Sequence, residues 1–425
     1  MVELKKSFGL FDAFNVGIGA IIGAGIFVVT GIGASLAGPA LLLSLLISAG
    51  IAAFTALSFA ELSMRIPKEG GGYEFAHELI SPFAGFITGW LWLISNVVVG
   101  AVVSLGFAHY FALFVPVPVH VIAVVACVMI TTINYLGARD LEIVNNILVV
   151  FKLFILACFV VIGIGAVRVG NITSSFFPHG GVGVLQGAAI MFFAFAGFAR
   201  ITIIGEEVRD PKKTIPRAIL LALVISTIVY VLVSYTAIGL VGYQGLANSG
   251  SPLADAARVE GNSVMVLISL GALAATFSVL LTTLLGTSRV SFAMARNRDL
   301  PRFFAVLHPQ RDIPYLAILV FGVMMTLFAA FTDLTSAVAI SNFASLFYYA
   351  MANYAALKIK NPSVPRVVPI VGLLSCIVLL FFLTTIAWVV GCVGLALGCL
   401  YFYGVRKRRS SRCLPEDAAR LRDNT

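Results

Sequence analysis

Two stretches of the sequence place residues able to do chemistry inside apolar runs: Gly17-Ile18-Gly19-Ala20-Ile21-Ile22-Gly23-Ala24-Gly25-Ile26-Phe27 and Phe193-Ala194-Phe195-Ala196-Gly197-Phe198. Glycine loses more conformational freedom than alanine on entering a helix, yet permits backbone shapes that other residues avoid. Gly19 and Gly23 also form the small-xxx-small pattern of close helix packing, so the first stretch alone reads either way. The second stretch, with a glycine and small residues amid aromatics in mid-run, favours a pair of interrupted helices. A break exposes N–H groups at one half-helix end and C=O groups at the other. Both are costly in hydrocarbon unless they line a cavity or bind a solute. The zwitterionic head of an amino acid answers both kinds of group at once.

In that arrangement the carboxylate takes N–H donors from Gly23-Ala24-Gly25, aided by the positive end of a helix dipole. The amine takes carbonyl oxygens from Ile21, Phe193, Ala194 and Ala196. Ala24, Ala196 and several Phe residues predict an apolar, fairly neutral pocket for the rest of the solute.

Lys152 is the other chemical signal, in the run Ile147-Leu148-Val149-Val150-Phe151-Lys152-Leu153-Phe154-Ile155. It stands about eight residues into its span, roughly 12 Å deep at about 1.5 Å per residue. Snorkelling to the interface is strained at that depth, and an ionisable residue inside a span points by default to function. Bonded to span 1 carbonyls near Gly19 and to a span 8 hydroxyl such as Ser278, this ammonium would sit where a sodium-coupled transporter holds Na⁺. Burial disfavours the charged form of an amine, so the group is suited to lose and regain a proton as a cavity opens to each side. Arg200, three residues beyond Gly197, reads as facing the inward cavity and pairing with Glu206 or Glu207, or as touching substrate. Glu206, Glu207, Arg209 and Asp210 read as a solvated helix end. Glu61 and Asp12 are expected to pair with basic loops.

These groups need a framework, and composition supplies its type. The 425 residues are 60% hydrophobic and 11% charged, against about 25% charged residues in soluble domains. A spanning helix needs about 20 mostly apolar residues, and twelve runs fit: 11–36, 40–65, 82–112, 119–137, 144–167, 184–207, 216–243, 263–297, 314–331, 333–357, 367–385 and 387–404. The stretch 246–262 reads as a short surface helix. Breaks in spans 1 and 6 suggest repeats of five spans, inverted because five is odd, with their broken helices meeting near the midplane. The fold class expected is an all-α membrane protein, 8–167 and 184–357 forming the two repeats, 367–404 two further helices and 405–425 a cytoplasmic tail.

An even span number places both termini on one side. Basic residues concentrate there, from Lys5 and Lys6 through Arg65, Lys68, Arg139, Lys212, Lys213, Arg217, Arg296, Arg298, Arg302, Arg311, Lys358, Lys360 and Arg366 to the Arg406–Arg412 tail. Only Arg168 and Arg258 fall opposite. That bias predicts cytoplasmic termini in the cell membrane. The net charge of +9 is therefore topological and does not signal nucleic acid. The first run lacks a signal-peptide cleavage pattern and is expected to remain as a helix. Cys127, Cys158, Cys376, Cys392 and Cys399 lie within apolar runs without metal-ligand or CxxC spacing. His77, His109, His120, His179 and His308 are scattered, and no HExxH, GxSxG or P-loop occurs. Neither an enzyme, a metal nor a cofactor is expected, and no ring of carboxylates or filter-like loop supports a channel.

Further motifs carry a resemblance. Gly19 through Phe27, Glu61-Leu62 through Pro67, Gly70-Gly71-Gly72-Tyr73, Glu206-Glu207-Val208-Arg209-Asp210-Pro211 with Ile215-Pro216-Arg217-Ala218, and Ser288-Arg289 through Pro301 resemble the amino acid–polyamine–organocation (APC) superfamily over about residues 8–360. The resemblance implies the five-plus-five inverted-repeat (LeuT-like) fold with two added helices, alternating access, and binding of an amino acid backbone at the broken helices. It implies that Phe193 gates the site from outside, and it likens Lys152 to the lysine of a proton-coupled, sodium-independent branch. One departure is that many members carry an acidic residue where Ala199 stands here, followed by Arg200. Its loss disfavours a strongly cationic substrate and leaves more of the coupling to Lys152. The expected function is proton-coupled amino acid symport, the alternative being amino acid exchange without net proton movement.

Overall fold

A computed structural model describes residues 9–66, 68, 70–137, 141–203, 208–311 and 313–422. Among them the regular structure is helical, as the near-continuous apolar runs require: in lipid a backbone must satisfy its own polar groups, and a helix does so within one segment.

The first run divides into α1 (Leu10–Ile21), a π-helical turn at Gly25–Val29 and α2 (Thr30–Ala37). α3 (Leu41–Arg65) and the short α4 (Gly72–Leu79) precede α5 (Pro82–Phe111), which Ser81 caps by accepting from the Ala84 N–H. α6 (Val119–Leu136) ends at Gly137 in the left-handed conformation, and α7 (Leu141–Gly163) carries Lys152. After the short α8 (Val169–Thr173), α9 (Gly180–Phe195) tightens into a 3₁₀ turn at Ala196–Ala199 before α10 (Arg200–Ile203). α11 (Pro211–Ala247), α12 (Pro252–Ala257), α13 (Asn262–Arg296), α14 (Tyr315–Phe331), α15 (Leu334–Leu357), α16 (Val367–Leu380) and α17 (Thr385–Arg422) complete the chain.

Among the described residues nine segments are long and apolar enough to cross a membrane, the first being the 56-residue stretch Leu10–Arg65 that contains α1 to α3. Tyr315–Phe331 and Val367–Leu380 are apolar but shorter. Three expectations need correction. The stretch 246–262 does contain a helix, but α12 is not on the surface: Leu253, Ala254 and Ala256 are fully buried, because their apolar side chains pack against α11 and α13. The last helix does not stop near residue 404 but runs on to Arg422. α11 runs past residue 243, turning at Gly242, whose φ of 71° suits a residue without a Cβ.

Helix association in lipid relies on close packing and interhelical hydrogen bonds rather than on apolar burial. Ser44 and Ser48 of α3 donate to the Val184 and Ala188 carbonyls of α9, each at 2.8 Å. Asn342 of α15 donates to the Ala189 and Ile190 carbonyls. Gly187 makes this approach possible, since a Cβ there would stand 2.7 Å from Ser44 Oγ and 2.9 Å from Ala37 Cβ. The outward faces are apolar instead: on α7, Ile147, Val150 and Phe154 are each at least 60% exposed while Lys152 points inward.

Overpacking a tight helix contact costs about 1–3 kcal/mol. Gly187→Leu is expected to lower the thermal unfolding midpoint of the detergent-purified protein clearly, whereas Gly181→Leu, at a position with nothing within 4 Å, leaves it unchanged. Equal midpoints would contradict this packing.

Candidate functional site

α1 ends inside the protein. Ile22 leaves the helix with φ −78° and ψ 100°, and the chain resumes helical geometry only from Ala24. The last carbonyls of α1 therefore have no following turn to bond to, and the first N–H groups of the next half have no preceding one.

Side chains from other helices cap the carbonyl end. Lys152 Nζ donates to Gly19 O at 2.8 Å and to Ile22 O at 2.5 Å. The lysine is fully buried and does not snorkel; its ammonium lies at the negative end of α1, where a cation is favoured. The expected bond to Ser278 is corrected. Ser278 Oγ donates to Asn145 Oδ1 at 2.8 Å, because a carboxamide about two helical turns before Lys152 reaches that hydroxyl while the ammonium is drawn to the orphan carbonyls. Tyr230 of α11 completes the cap, its hydroxyl placed between Ile21 O (2.7 Å) and Ala194 O (3.0 Å).

The interruption in the sixth run is milder than a break. The backbone changes from α to 3₁₀ at Ala196–Ala199, Ala196 N–H donates to Phe193 O, and Tyr349 OH donates to Ala196 O. Gly197 has a packing reason as well: a Cβ there would collide with the Ala20 carbonyl and Ile21 N. Gly25 likewise faces Ala194, whose Cα a side chain would strike. The two glycine-bearing stretches are thus pressed together, and both readings of them, close packing and interruption, hold in the same place.

Beside the break lies a small cavity of about 50 Å³, lined by Ile21, Gly23, Ala24, Gly25, Phe193 and Ala196 of the expected set. Ala194 is not in its wall; its carbonyl is turned to Tyr230. Gly19, Lys152 and Ser278 are not in its wall. α5 contributes Trp92, Ser95, Asn96, Val99 and Val103 at helical spacing, and α15 adds Ser345, Tyr348 and Tyr349. The lining is therefore more polar than the expected apolar pocket. Phe198, Phe59, Tyr348 and Tyr349 meet in ring contacts 5.1–5.7 Å apart beneath Ala196–Ala199.

Arg200 also lines the cavity, with Nη1 donating to Thr282 Oγ1 at 2.9 Å and Nη2 to Thr283 Oγ1 at 2.6 Å and Asn96 Oδ1 at 3.4 Å. Glu206 and Glu207, its expected partners, lie outside the described residues, as does Arg139. Neither Glu61 nor Asp12 pairs with a basic loop as expected: Glu61 meets Arg65, one turn on in its own helix α3, at 3.3 Å, and Asp12 accepts from the Gly9 N–H as a helix cap. At that same end of the bundle Tyr73 donates to Asp299, and Asn297 to Tyr73 and Glu74, tying α4 to the end of α13.

Leaving a buried acceptor without its donor costs about 1–3 kcal/mol. Tyr230→Phe keeps the ring and removes the hydroxyl shared by Ile21 O and Ala194 O, so a loss of stability of about that size is expected in thermal unfolding. An unchanged midpoint would remove Tyr230 from the cap.

The chain has close sequence relatives. The family profile described as amino acid permease matches residues 12–413. The chain is 38% identical over 421 residues to an uncharacterized transporter of Mycobacterium tuberculosis, covering 98% of this chain and 94% of the relative. It is 32% identical to a branched-chain amino acid permease of Bacillus subtilis (91% and 89% covered) and 30% identical to a methylthioribose transporter of the same organism (96% and 95%). With a family match over nearly the whole chain and relatives at this identity, the chain belongs to the amino acid permease family of the APC superfamily.

Proposed function

We propose that this protein is a secondary active transporter that moves amino acids across the cell membrane together with protons, by alternating access. The observation that carries the reading is the cavity at the interruption of α1, where the Gly23-Ala24-Gly25 amides begin a new half-helix beside Phe193 and Ala196. Those amides offer donors and a positive dipole end to a carboxylate. The carbonyls of Ile21 and Ala196, both residues of the cavity wall, each accept from a tyrosine hydroxyl, and since a carbonyl has two lone pairs each retains capacity toward an amine. Membership of the amino acid permease family and the name of the branched-chain relative support the same class of solute.

The topology that fits this activity has twelve spans, with the 56-residue first stretch counted as two and the shorter α14 and α16 as spans. Residues 8–167 and 184–357 are then inverted repeats bringing α1 and α9–α10 together, 367–404 adds two helices, and 405–425 is a cytoplasmic tail. The one-sided basic residues support cytoplasmic termini. In this reading Phe193, half-buried in the cavity wall, is the residue that gates the site from outside.

Proton coupling falls to Lys152. Charge-assisted hydrogen bonds are about twice as strong as neutral ones, so loss of its proton loosens the hold on Gly19 O and Ile22 O and frees the broken end of α1 to shift. Sodium is not required in this scheme, because the ammonium occupies the place of a bound cation.

The test is uptake into liposomes with an imposed pH gradient. Wild-type protein is expected to accumulate amino acid, and Lys152→Ala to fall to the level of protein-free liposomes while still performing counterflow. Unchanged gradient-driven accumulation by Lys152→Ala would defeat the assigned role. Wild-type counterflow without any pH-driven accumulation would show an exchanger instead.

A further inference from the structure

Lys152 and Arg200 are both cations in the spanning part of the fold, but they face different ways. Lys152 is spent on the carbonyl end of α1; Arg200 lines the cavity. The helices that build the cavity wall around Arg200, α5, α9, α10, α13 and α15, contain no Asp or Glu at all. The acid of α1, Asp12, is bonded to the Gly9 N–H. None of the ion pairs among the described residues includes Arg200. Its five N–H donors meet three neutral acceptors there, Thr282, Thr283 and Asn96, from α13 and α5. Those bonds fix the direction of the guanidinium in the cavity wall, and among the described residues none of them comes from an anion.

We propose that the cavity selects an amino acid bearing a second carboxylate on its side chain, and that Arg200 is the residue that reads it. The inference rests on the reading of the cavity as an amino acid site. Gly197 is packed onto Ala20 and Ile21 at the break. Gly23, Ala24, Gly25 and Arg200 line the same small cavity. A solute held by its head at Gly23-Ala24-Gly25 therefore shares that chamber with a cation that its side chain can meet. Guanidinium is matched in shape and charge to a carboxylate, and the match is worth most where water is scarce. The same charge repels lysine- or arginine-like side chains, and Ser95 and Ser345, also in the wall, supply polar surroundings that an aliphatic side chain would waste.

The test compares isosteres on the full-length purified protein. Binding of L-glutamate, L-aspartate, L-glutamine and L-leucine is measured by thermal stabilisation and by competition in uptake, for wild type and Arg200→Gln. Wild type is expected to bind glutamate or aspartate at least about tenfold tighter than glutamine, about 1.4 kcal/mol, and Arg200→Gln to lose that preference. A merely structural Arg200 would weaken all four solutes alike. Glutamine or leucine bound as tightly as glutamate by wild type overturns the proposal and leaves the amino acid reading intact. Binding of no amino acid overturns both. Should Arg200→Gln fail to fold, the wild-type comparison decides alone.

Discussion

An α-helix interrupted inside hydrocarbon leaves backbone donors and acceptors that water cannot reach, and the arrangement of this protein follows from how those of α1 are satisfied. On the carbonyl side the protein does it internally: Lys152 takes Gly19 O and Ile22 O, and Tyr230 takes Ile21 O. On the amide side, Gly23-Ala24-Gly25 opens to a cavity. The asymmetry is what makes the break useful, because a rigid capped end positions an uncapped one. The π-helical turn at Gly25–Val29 follows directly on the break, and such turns occur frequently at functional sites.

The second run is held differently. α9 need not unwind fully, because its 3₁₀ turn supplies a change of direction while Tyr349 and Tyr230 bond the carbonyls it exposes. Two tyrosines from α11 and α15 thus do for the carbonyls what capping residues do at helix ends in water.

Much of this was legible from residue types. Apolar runs bounded by charges located the helices, because lipid admits few alternatives to a self-satisfied helix. Gly17–Phe27 pointed to the interruption of α1, and a lysine flanked by outward-facing Ile147, Val150 and Phe154 had to be inward. What escaped were groups whose role depends on another element. Tyr230 and Tyr349 look like ordinary aromatics in helical runs, and only the fold brings their hydroxyls to carbonyls more than 30 residues distant in the chain. Ser278 was read as a partner of Lys152, but Asn145, a polar residue on the same helix as the lysine, claims it. Ser95 and Asn96 carried a detectable signal, adjacent polar side chains in an apolar span. Trp92, Ser95, Asn96, Val99 and Val103 share one helical face, and that spacing could have placed α5 in the wall. The pocket was read as neutral from its alanines and phenylalanines; the polar side chains of its wall come from α5, from Arg200 and from Ser345, Tyr348 and Tyr349 of α15, and no local pattern assigns α15 to it.

The central claim is that an amino acid's carboxylate is held by the amides that follow the break in α1. A cryo-electron microscopy map of the protein in lipid nanodiscs, with a transported amino acid at saturating concentration, tests it directly. The account predicts density with its carboxylate against the N–H groups of Gly23, Ala24 and Gly25. Density for the solute elsewhere, or a helix running unbroken through Ile22 and Gly23, would contradict it.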